Sequence, residues 1–383
     1  MARALYIHWP FCAKKCPYCD FNSHVRERVD AAAWRDALLA DIRHEAEMAG
    51  GAPLHSIFFG GGTPSLMPPS LVEALLQEAE ALWGFDANIE ITLEANPSSV
   101  EAANFNELAQ AGVNRVSLGV QSLEGDTLQF LGRLHGADEA LQAVETAQQN
   151  FDRVSVDLIY ARPGQSAEQW TAELKRALAL GTDHMSLYQL TIEPNTRFAT
   201  DVRRGAFTPL DDDPAGDLYA LTQEIMNAAG LPAYEISNHA KPEQESRHNL
   251  TYWRYQDYCG IGPGAHGRRG GVATERHKKP ENYLSAVGED GHGIKHQRAL
   301  SVGEQASEAL LMGLRLAEGV DLSQLEARFG IPRADLIDAD RLALHSDLRL
   351  LTRDGDRITV KPAGMPLLDA LLGEIVADGL VTA

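Results

Sequence analysis

The chain predicts an α/β fold: a partial (β/α)6 barrel followed by a small winged-helix-like α+β domain. Three observations point there. Across the first 240 residues, six strand-like runs alternate with helix-like segments at intervals of roughly thirty residues, the pattern of parallel βαβ units. Polar and glycine residues cluster where those strands end, the rim at which barrels carry their chemistry. From about residue 300 the pattern changes to helices with one short strand.

The strand-like runs are residues 4–9, 56–59, 89–94, 115–119, 153–159 and 185–190. Between them, Ser70 with Glu73 and Ser166 with Gln169 read as capping boxes, and Pro214 suits a first helical turn. The run Asp211, Asp212, Asp213 reads as a solvated loop. Residues 241–300, rich in Gly, His and Arg, read as a segment connecting the barrel (1–240) to the last domain (301–383) along the barrel mouth. In that domain, helices are expected over 305–316, 322–329, 339–348 and 367–376, with a strand at 357–362 and a short hairpin.

With 383 residues and 44% hydrophobic content, the chain can bury a large core. Its 54 acidic against 34 basic residues give a net charge of −20, which disfavours nucleic acid as a partner. A winged helix here is therefore expected to contact a partner or act as a lid. Neither a leader nor a membrane-length apolar run stands out, so a cytoplasmic location is expected. Three of the four cysteines cluster and Cys259 is remote, so no disulfide framework is expected. His44, His55 and His184 read as ordinary surface or core histidines.

Cys12, Cys16 and Cys19 form a C-x3-C-x2-C motif after the first strand. A [4Fe–4S] cluster usually takes four cysteines; three leave one iron open to a small molecule. Two other readings stand beside this one. Cys16 and Cys19 alone make a C-x-x-C redox pair, and the three thiols with His8 or His24 could hold zinc. The spacing resembles the signature of the radical S-adenosylmethionine (SAM) superfamily, in which the open iron chelates SAM. Gly60, Gly61, Gly62, Thr63 and Pro64 follow the second strand. They match neither a Walker loop nor a dinucleotide turn. They resemble the glycine-rich segment that holds the methionyl ammonium of SAM in that superfamily, where backbone carbonyls can accept its hydrogen bonds.

The resemblance sharpens over several runs: Tyr6 to Pro10, Cys12 to Asp20, Gly60 to Pro64, Glu94 to Pro97, Gly119 to Ser122 and Leu131 to His135. Together they resemble the coproporphyrinogen oxidase-like radical SAM proteins over nearly the whole chain. That resemblance implies Cys12, Cys16 and Cys19 as cluster ligands, and Tyr6, Gly61, Gly62, Thr63, Glu94, Gln121, Arg133 and Asp157 as residues lining one or two SAM molecules. It places Tyr18 over the cluster and SAM. Each has a plainer reading: Glu94 as a solvated strand end, Arg133 as a surface cation. Asp157 is the least easily dismissed, since an unpaired charge in its apolar strand would be costly.

The family holds both a porphyrinogen-decarboxylating enzyme and heme chaperones. The enzyme carries a fourth cysteine two residues after the third, where this chain has Phe21, and a long N-terminal extension, where this chain starts a few residues before its first strand. His248, Asn249, Tyr252 and Trp253 match the chaperones' H-N-x-x-Y-W motif, and a histidine beside aromatics suits heme. The resemblance thus implies a chaperone that binds a [4Fe–4S] cluster, SAM and heme. His248 would be the axial ligand, with Cys259 as a competing thiolate. Heme would pass to an acceptor protein, a membrane respiratory protein being one candidate. It implies no coproporphyrinogen dehydrogenase activity and is compatible with SAM cleavage. The alternative is oxygen-independent coproporphyrinogen III dehydrogenase, which decarboxylates propionates with a 5′-deoxyadenosyl radical; a SAM-cleaving enzyme acting on another tetrapyrrole is a weaker third reading.

Overall fold

The structure, a computed structural model, describes residues 2–381. Six strands lie side by side in chain order, all parallel: β1 (Ala4–Trp9), β2 (Leu54–Gly61), β3 (Phe85–Ala95), β4 (Arg115–Gln121), β5 (Arg153–Tyr160) and β6 (His184–Gln189). Short strands extend both edges. β7 (Asn238–Ala240) runs antiparallel to β6, and β8 (Cys259–Ile261) runs parallel to β1. The helices α1 (Ala31–Ala49), α2 (Pro69–Trp83), α3 (Phe105–Gln110), α4 (Ala137–Asn150), α5 (Ala167–Leu178) and α6 (Asp212–Ala228) connect the strands. Strand residues such as Leu5, Ile7, Ile57, Phe59, Leu93, Val116, Leu118, Val156 and Leu158 form one core with helix residues such as Leu38, Leu75 and Leu174.

Side chains alternate across a strand, and the register puts a different set on the inner face. Tyr6 lies opposite Phe58, Phe58 opposite Thr92, Glu94 opposite Ser117, Ser117 opposite Ser155, and Asp157 opposite Ser186. That face is polar where the outer face is aliphatic. The fold is the partial barrel the alternation predicts, with a hydrogen-bonding interior.

The local signals held unequally. Ser166 and Gln169 form a full capping box at the start of α5, and Pro214 sits in the first turn of α6. Ser70 caps nothing: α2 begins at Pro69 with Pro68 in the cap position, because proline's fixed φ and missing N–H suit a helix start. The aspartate run is not a loop either. Asp211 is the N-cap of α6, and Asp212 and Asp213 lie in its first turn, where negative charge meets the positive helix end.

After the barrel, α7 (Arg247–Trp253) carries the H-N-x-x-Y-W residues. It is followed by β8 and an antiparallel sheet of β9 (His266–Arg269), β10 (Val272–Arg276) and β11 (Ile294–Ala299), with α8 (Pro280–Asp290) between the last two. A buried charge network ties this segment to α1. Arg276 Nε donates to Asp41 at 3.0 Å and its Nη2 to Glu45 at 2.7 Å; Arg269 Nε donates to Glu45 at 2.8 Å. Tyr283 Oη and the amides of Gly262 and Gly293 complete the shell of Asp41 at 2.9–3.3 Å.

The last region builds its own core from Leu310, Leu322, Leu336, Ile358, Leu372 and Ile375. Its elements are α9 (Val302–Gly313), β12 (Val320–Asp321), α10 (Leu322–Phe329), α11 (Ala339–Asp347), β13 (Leu351–Asp354), β14 (Arg357–Val360) and α12 (Leu368–Ile375). The three strands make a small antiparallel sheet in the order β12-β14-β13, so the expected hairpin is present.

Arg276 is wholly buried. Its replacement by Met should leave Asp41 without a cation and Glu45 with Arg269 alone, and lower stability by about 3–5 kcal/mol, read as a shifted midpoint in urea unfolding. A loss below 1 kcal/mol would mean the network holds nothing together.

Candidate functional site at the C-terminal end of the barrel

The three clustered thiols are free and half-buried on the loop leaving β1. A turn bond from Cys19 N to Cys16 O, 3.2 Å, shapes that loop. Thr63 Oγ1 donates to Cys12 Sγ at 3.4 Å, and Arg133 Nη1 lies 3.6 Å from Cys16 Sγ. Burial pushes the Cys12 and Cys19 thiols above their ordinary range. A cation and a hydroxyl thus face the sulfurs, as a thiolate site requires.

Arg133 organises the neighbourhood. Its Nη2 donates to Asn96 Oδ1 at 2.5 Å and to the Gly119 carbonyl at 2.8 Å, and its Nη1 reaches Tyr18 Oη at 3.5 Å. Its Nε is buried without a partner. Tyr18 packs towards Phe198, with ring centroids 6.3 Å apart. Asn96, within the Glu94 to Pro97 run but without an expected role, also donates to Thr63 Oγ1 at 3.3 Å. It therefore links the glycine-rich turn to Arg133.

Gly61 adopts φ +109°, and a Cβ there would lie 2.5 Å from the His8 ring; a Cβ on Gly62 would meet the Phe11 carbonyl at 2.6 Å. Close approach to β1 and its loop explains both glycines. Gly61 N donates to Glu94 Oε2 at 3.2 Å. Burial, with Asp157 as a nearby like charge, pushes the Glu94 carboxyl up to about 8. Asp157, raised chiefly by burial, accepts from Ser117 Oγ at 3.0 Å. Gln121 holds a left-handed φ of +66° where the β4–β5 register shifts. Such a conformation is strained in a non-glycine residue and is often kept at a ligand site.

Tyr6 donates into the barrel's own network: its hydroxyl meets His8 Nδ1 at 2.9 Å, and His8 Nε2 meets the Asn22 carbonyl at 2.9 Å. His24 contacts Asn22 Oδ1 at 3.2 Å. The zinc reading therefore loses its fourth ligand from His8, whose two nitrogens are both engaged. Among the described residues no group of three His, Cys, Asp or Glu side chains is arranged to hold a single metal ion. A four-iron cube stands between its thiolates and keeps them farther apart than one zinc would. Three thiols, a facing guanidinium and an orphaned Arg133 Nε fit that larger group.

His248 points into the barrel below the thiols, its ring 6.3 Å from that of Tyr6. It is 1% exposed, with Nδ1 3.3 Å from Ser56 Oγ and Nε2 2.7 Å from Tyr252 Oη, and it stacks on Phe58 at 5.0 Å. An axial ligand needs a free lone pair facing open space, and His248 has neither in this conformation. Cys259 is fully buried in β8 beside Glu45, its thiol pushed well up by burial, and no macrocycle reaches it.

Residues 6–177 match the model of the Radical SAM superfamily and residues 300–367 that of the HemN C-terminal domain. The fold resembles that of coproporphyrinogen III oxidase (HemN) from Escherichia coli, with a TM-score of 0.82 and 23% identity over 97% of this chain and 89% of that one. With its three-cysteine loop on the rim of a partial barrel, the chain is a radical SAM protein, and that membership implies a [4Fe–4S] cluster and SAM. It is 38% identical to the heme chaperone HemW of Escherichia coli over 86% of each chain. It is 41% identical to bovine mitochondrial radical S-adenosyl methionine domain-containing protein 1, over 83% of this chain and 74% of that one. The chain belongs to the HemW family. No helix among the described residues is long and apolar enough to cross a membrane.

Glu94 supplies a pH test. Its folded pKa lies above the ordinary 4.5, so the folded state holds the proton more tightly and ligand-free stability falls as pH rises from about 4.5 towards 8. Glu94→Gln removes that dependence. Its unfolding free energy, from urea titration, should gain on that of the unmodified protein across this window, by at most about 1.4 kcal/mol per pH unit. Parallel pH curves would overturn the assignment.

Proposed function

We propose that this protein is a heme chaperone: it binds heme and passes it to an acceptor protein, with one [4Fe–4S] cluster on Cys12, Cys16 and Cys19 and with exchangeable SAM. The observation that carries this reading is the identity of 33–38% to several bacterial HemW proteins over most of the chain. Phe21 at the position of the decarboxylase's fourth cysteine agrees with it.

In this reading the cluster, when bound, supplies an iron without a cysteine ligand on which SAM sits. Arg133 offsets the negative charge of Cys16, and Thr63 orients Cys12. The turn at Gly61 and Gly62, packed on His8 and Phe11, offers backbone carbonyls to the SAM ammonium, and Tyr18 covers it. Glu94 accepts the ribose hydroxyls, while Asp157, Gln121 and Tyr6 line the interior beyond. The second reading, coproporphyrinogen III dehydrogenase, draws only on the fold shared with HemN, at 23% identity.

Anaerobic reconstitution tests both. The unmodified chain should hold four irons, bind hemin and leave coproporphyrinogen III unchanged. Cys12→Ala, Cys16→Ala and Cys19→Ala should each lose the cluster, whereas Cys259→Ala should keep it. Glu94→Ala and Asp157→Ala should keep the cluster and bind SAM more weakly, by roughly fivefold for a lost hydrogen bond of about 1 kcal/mol. Turnover of coproporphyrinogen III would overturn the chaperone reading.

A further inference from the structure

Cys12 and Cys16 each meet a hydrogen-bond donor from elsewhere in the barrel. Thr63 Oγ1 reaches Cys12 Sγ at 3.4 Å and Arg133 Nη1 reaches Cys16 Sγ at 3.6 Å, and Asn96 ties those two donors together. Cys19 is met from its own loop instead. The Phe21 amide and the Ser23 hydroxyl face its sulfur.

The backbone fixes where Ser23 sits. Its N–H donates to the Phe21 carbonyl at 2.7 Å, closing a tight three-residue turn. The next N–H, that of His24, donates to the Pro10 carbonyl at 2.7 Å. The chain there pairs with the start of the loop, His24 opposite Phe11 and Val25 opposite Cys12. On the other side, the Asn22 Nδ2 donates to the carbonyls of Pro263 and Lys278, and the Asn22 carbonyl meets His8. Both neighbours of Ser23 are thus held, and the end of the loop lies beside its beginning.

The Ser23 side chain is 7% exposed, and its Oγ is buried without a partner of full hydrogen-bond geometry among the described residues. Such a hydroxyl is costly. The sulfurs of Cys12 and Cys19 lie within its reach. Burial pushes both thiols up, and Ser23 opposes that rise at each, beside Thr63 at Cys12 and the Phe21 amide at Cys19. A thiol sulfur is a weak acceptor, whereas a thiolate carries charge and accepts strongly. The hydroxyl therefore lacks a good partner only while the sulfurs keep their protons, and gains one when they lose them to bind iron.

Hydrogen bonds to the sulfurs help set the reduction potential of an iron–sulfur cluster. One added electron makes cluster and thiolates more negative, so a donor stabilises the reduced form more than the oxidised one and raises the potential. We propose that Ser23 is such a donor: a positioning residue whose hydroxyl bonds the Cys19 thiolate, with Cys12 in reach, and holds the bound cluster at a higher midpoint potential. The proposal rests on the assignment of the cluster to Cys12, Cys16 and Cys19. The hydroxyl proton stays on oxygen throughout, and the electron comes from an external reductant, dithionite in the test.

An EPR-monitored titration with dithionite, on the full-length, reconstituted protein without SAM, reads the potential directly. Ser23→Ala removes one oxygen and adds no volume, so it should hold four irons at a midpoint shifted to more negative potential. Ser23→Thr keeps the hydroxyl and should titrate close to the unmodified chain. A four-iron Ser23→Ala protein at the unmodified potential would overturn the proposal, as would a Ser23→Thr potential that follows Ser23→Ala. Failure of both Ser23→Ala and Ser23→Gly to hold four irons would also overturn it, since the hydroxyl would then support the loop and tune nothing. All three outcomes leave the cluster assignment standing. An unmodified chain that takes up no four-iron cluster would overturn that assignment itself.

Discussion

The buried charge cluster of Asp41, Glu45, Arg269 and Arg276 is the constraint on which the shape of the cysteine site depends. Removing these groups from water is costly, and the cost is offset only when every oxygen and N–H finds a partner. Asp41 meets this by drawing in Arg276, Tyr283 and the amides of Gly262 and Gly293. Those partners span more than thirty residues, so one carboxylate fixes the path of the whole segment across α1. Asn22 then hangs the cysteine loop from it, its Nδ2 donating to the carbonyls of Pro263 and Lys278 at 2.8 and 2.9 Å. The thiols are therefore positioned by contacts about 240 residues away in sequence.

A second buried acid does the same at the other end of the barrel. Glu90 accepts from Arg153 at 2.6 Å and from the amides of His248 and Arg247 at 3.1 and 3.2 Å. A carboxylate at the first turn of α7 satisfies otherwise orphaned N–H groups and meets the positive helix end. This anchors α7 across the base of the barrel and turns its two faces in opposite directions.

The sequence was most legible where periodicity is strong. All six parallel strands fall where the apolar runs place them, and Ser166 with Gln169 caps as written. What it hid depended on tertiary partners. β8 is three residues long and flanked by glycine, too short for a periodic signal, and exists because β1 offers an edge. Ser70 had the right letters for a cap, but the prolines before it start the helix first. The glycine run marked a close approach, and the atoms it approaches proved to be His8 and Phe11 rather than open space. The sequence shows the aromatic neighbours that suit His248 to heme, but not that they enclose it.

The positions of α7 and β1 also bear on how the two ends of the barrel relate. From the outer face of α7, His55 meets Thr251. From its inner face, the His248 ring lies 6.3 Å from that of Tyr6, whose hydroxyl bonds His8, which in turn bonds the Asn22 carbonyl of the cysteine loop. Hydrogen bonds and ring contacts thus run through the barrel from α7 to the cysteine loop. Contiguity alone is not coupling; coupling requires an element with two arrangements that both sites bias. The element common to both ends is α7, a helix of seven residues held by Glu90 at its start and by side-chain contacts on both faces. The inner face of this helix packs on Tyr6. The link from there to the thiols is His8, and burial holds its imidazole down to about 4, neutral at physiological pH. Its two hydrogen bonds therefore persist across that range, and any signal through them is carried by geometry rather than by charge.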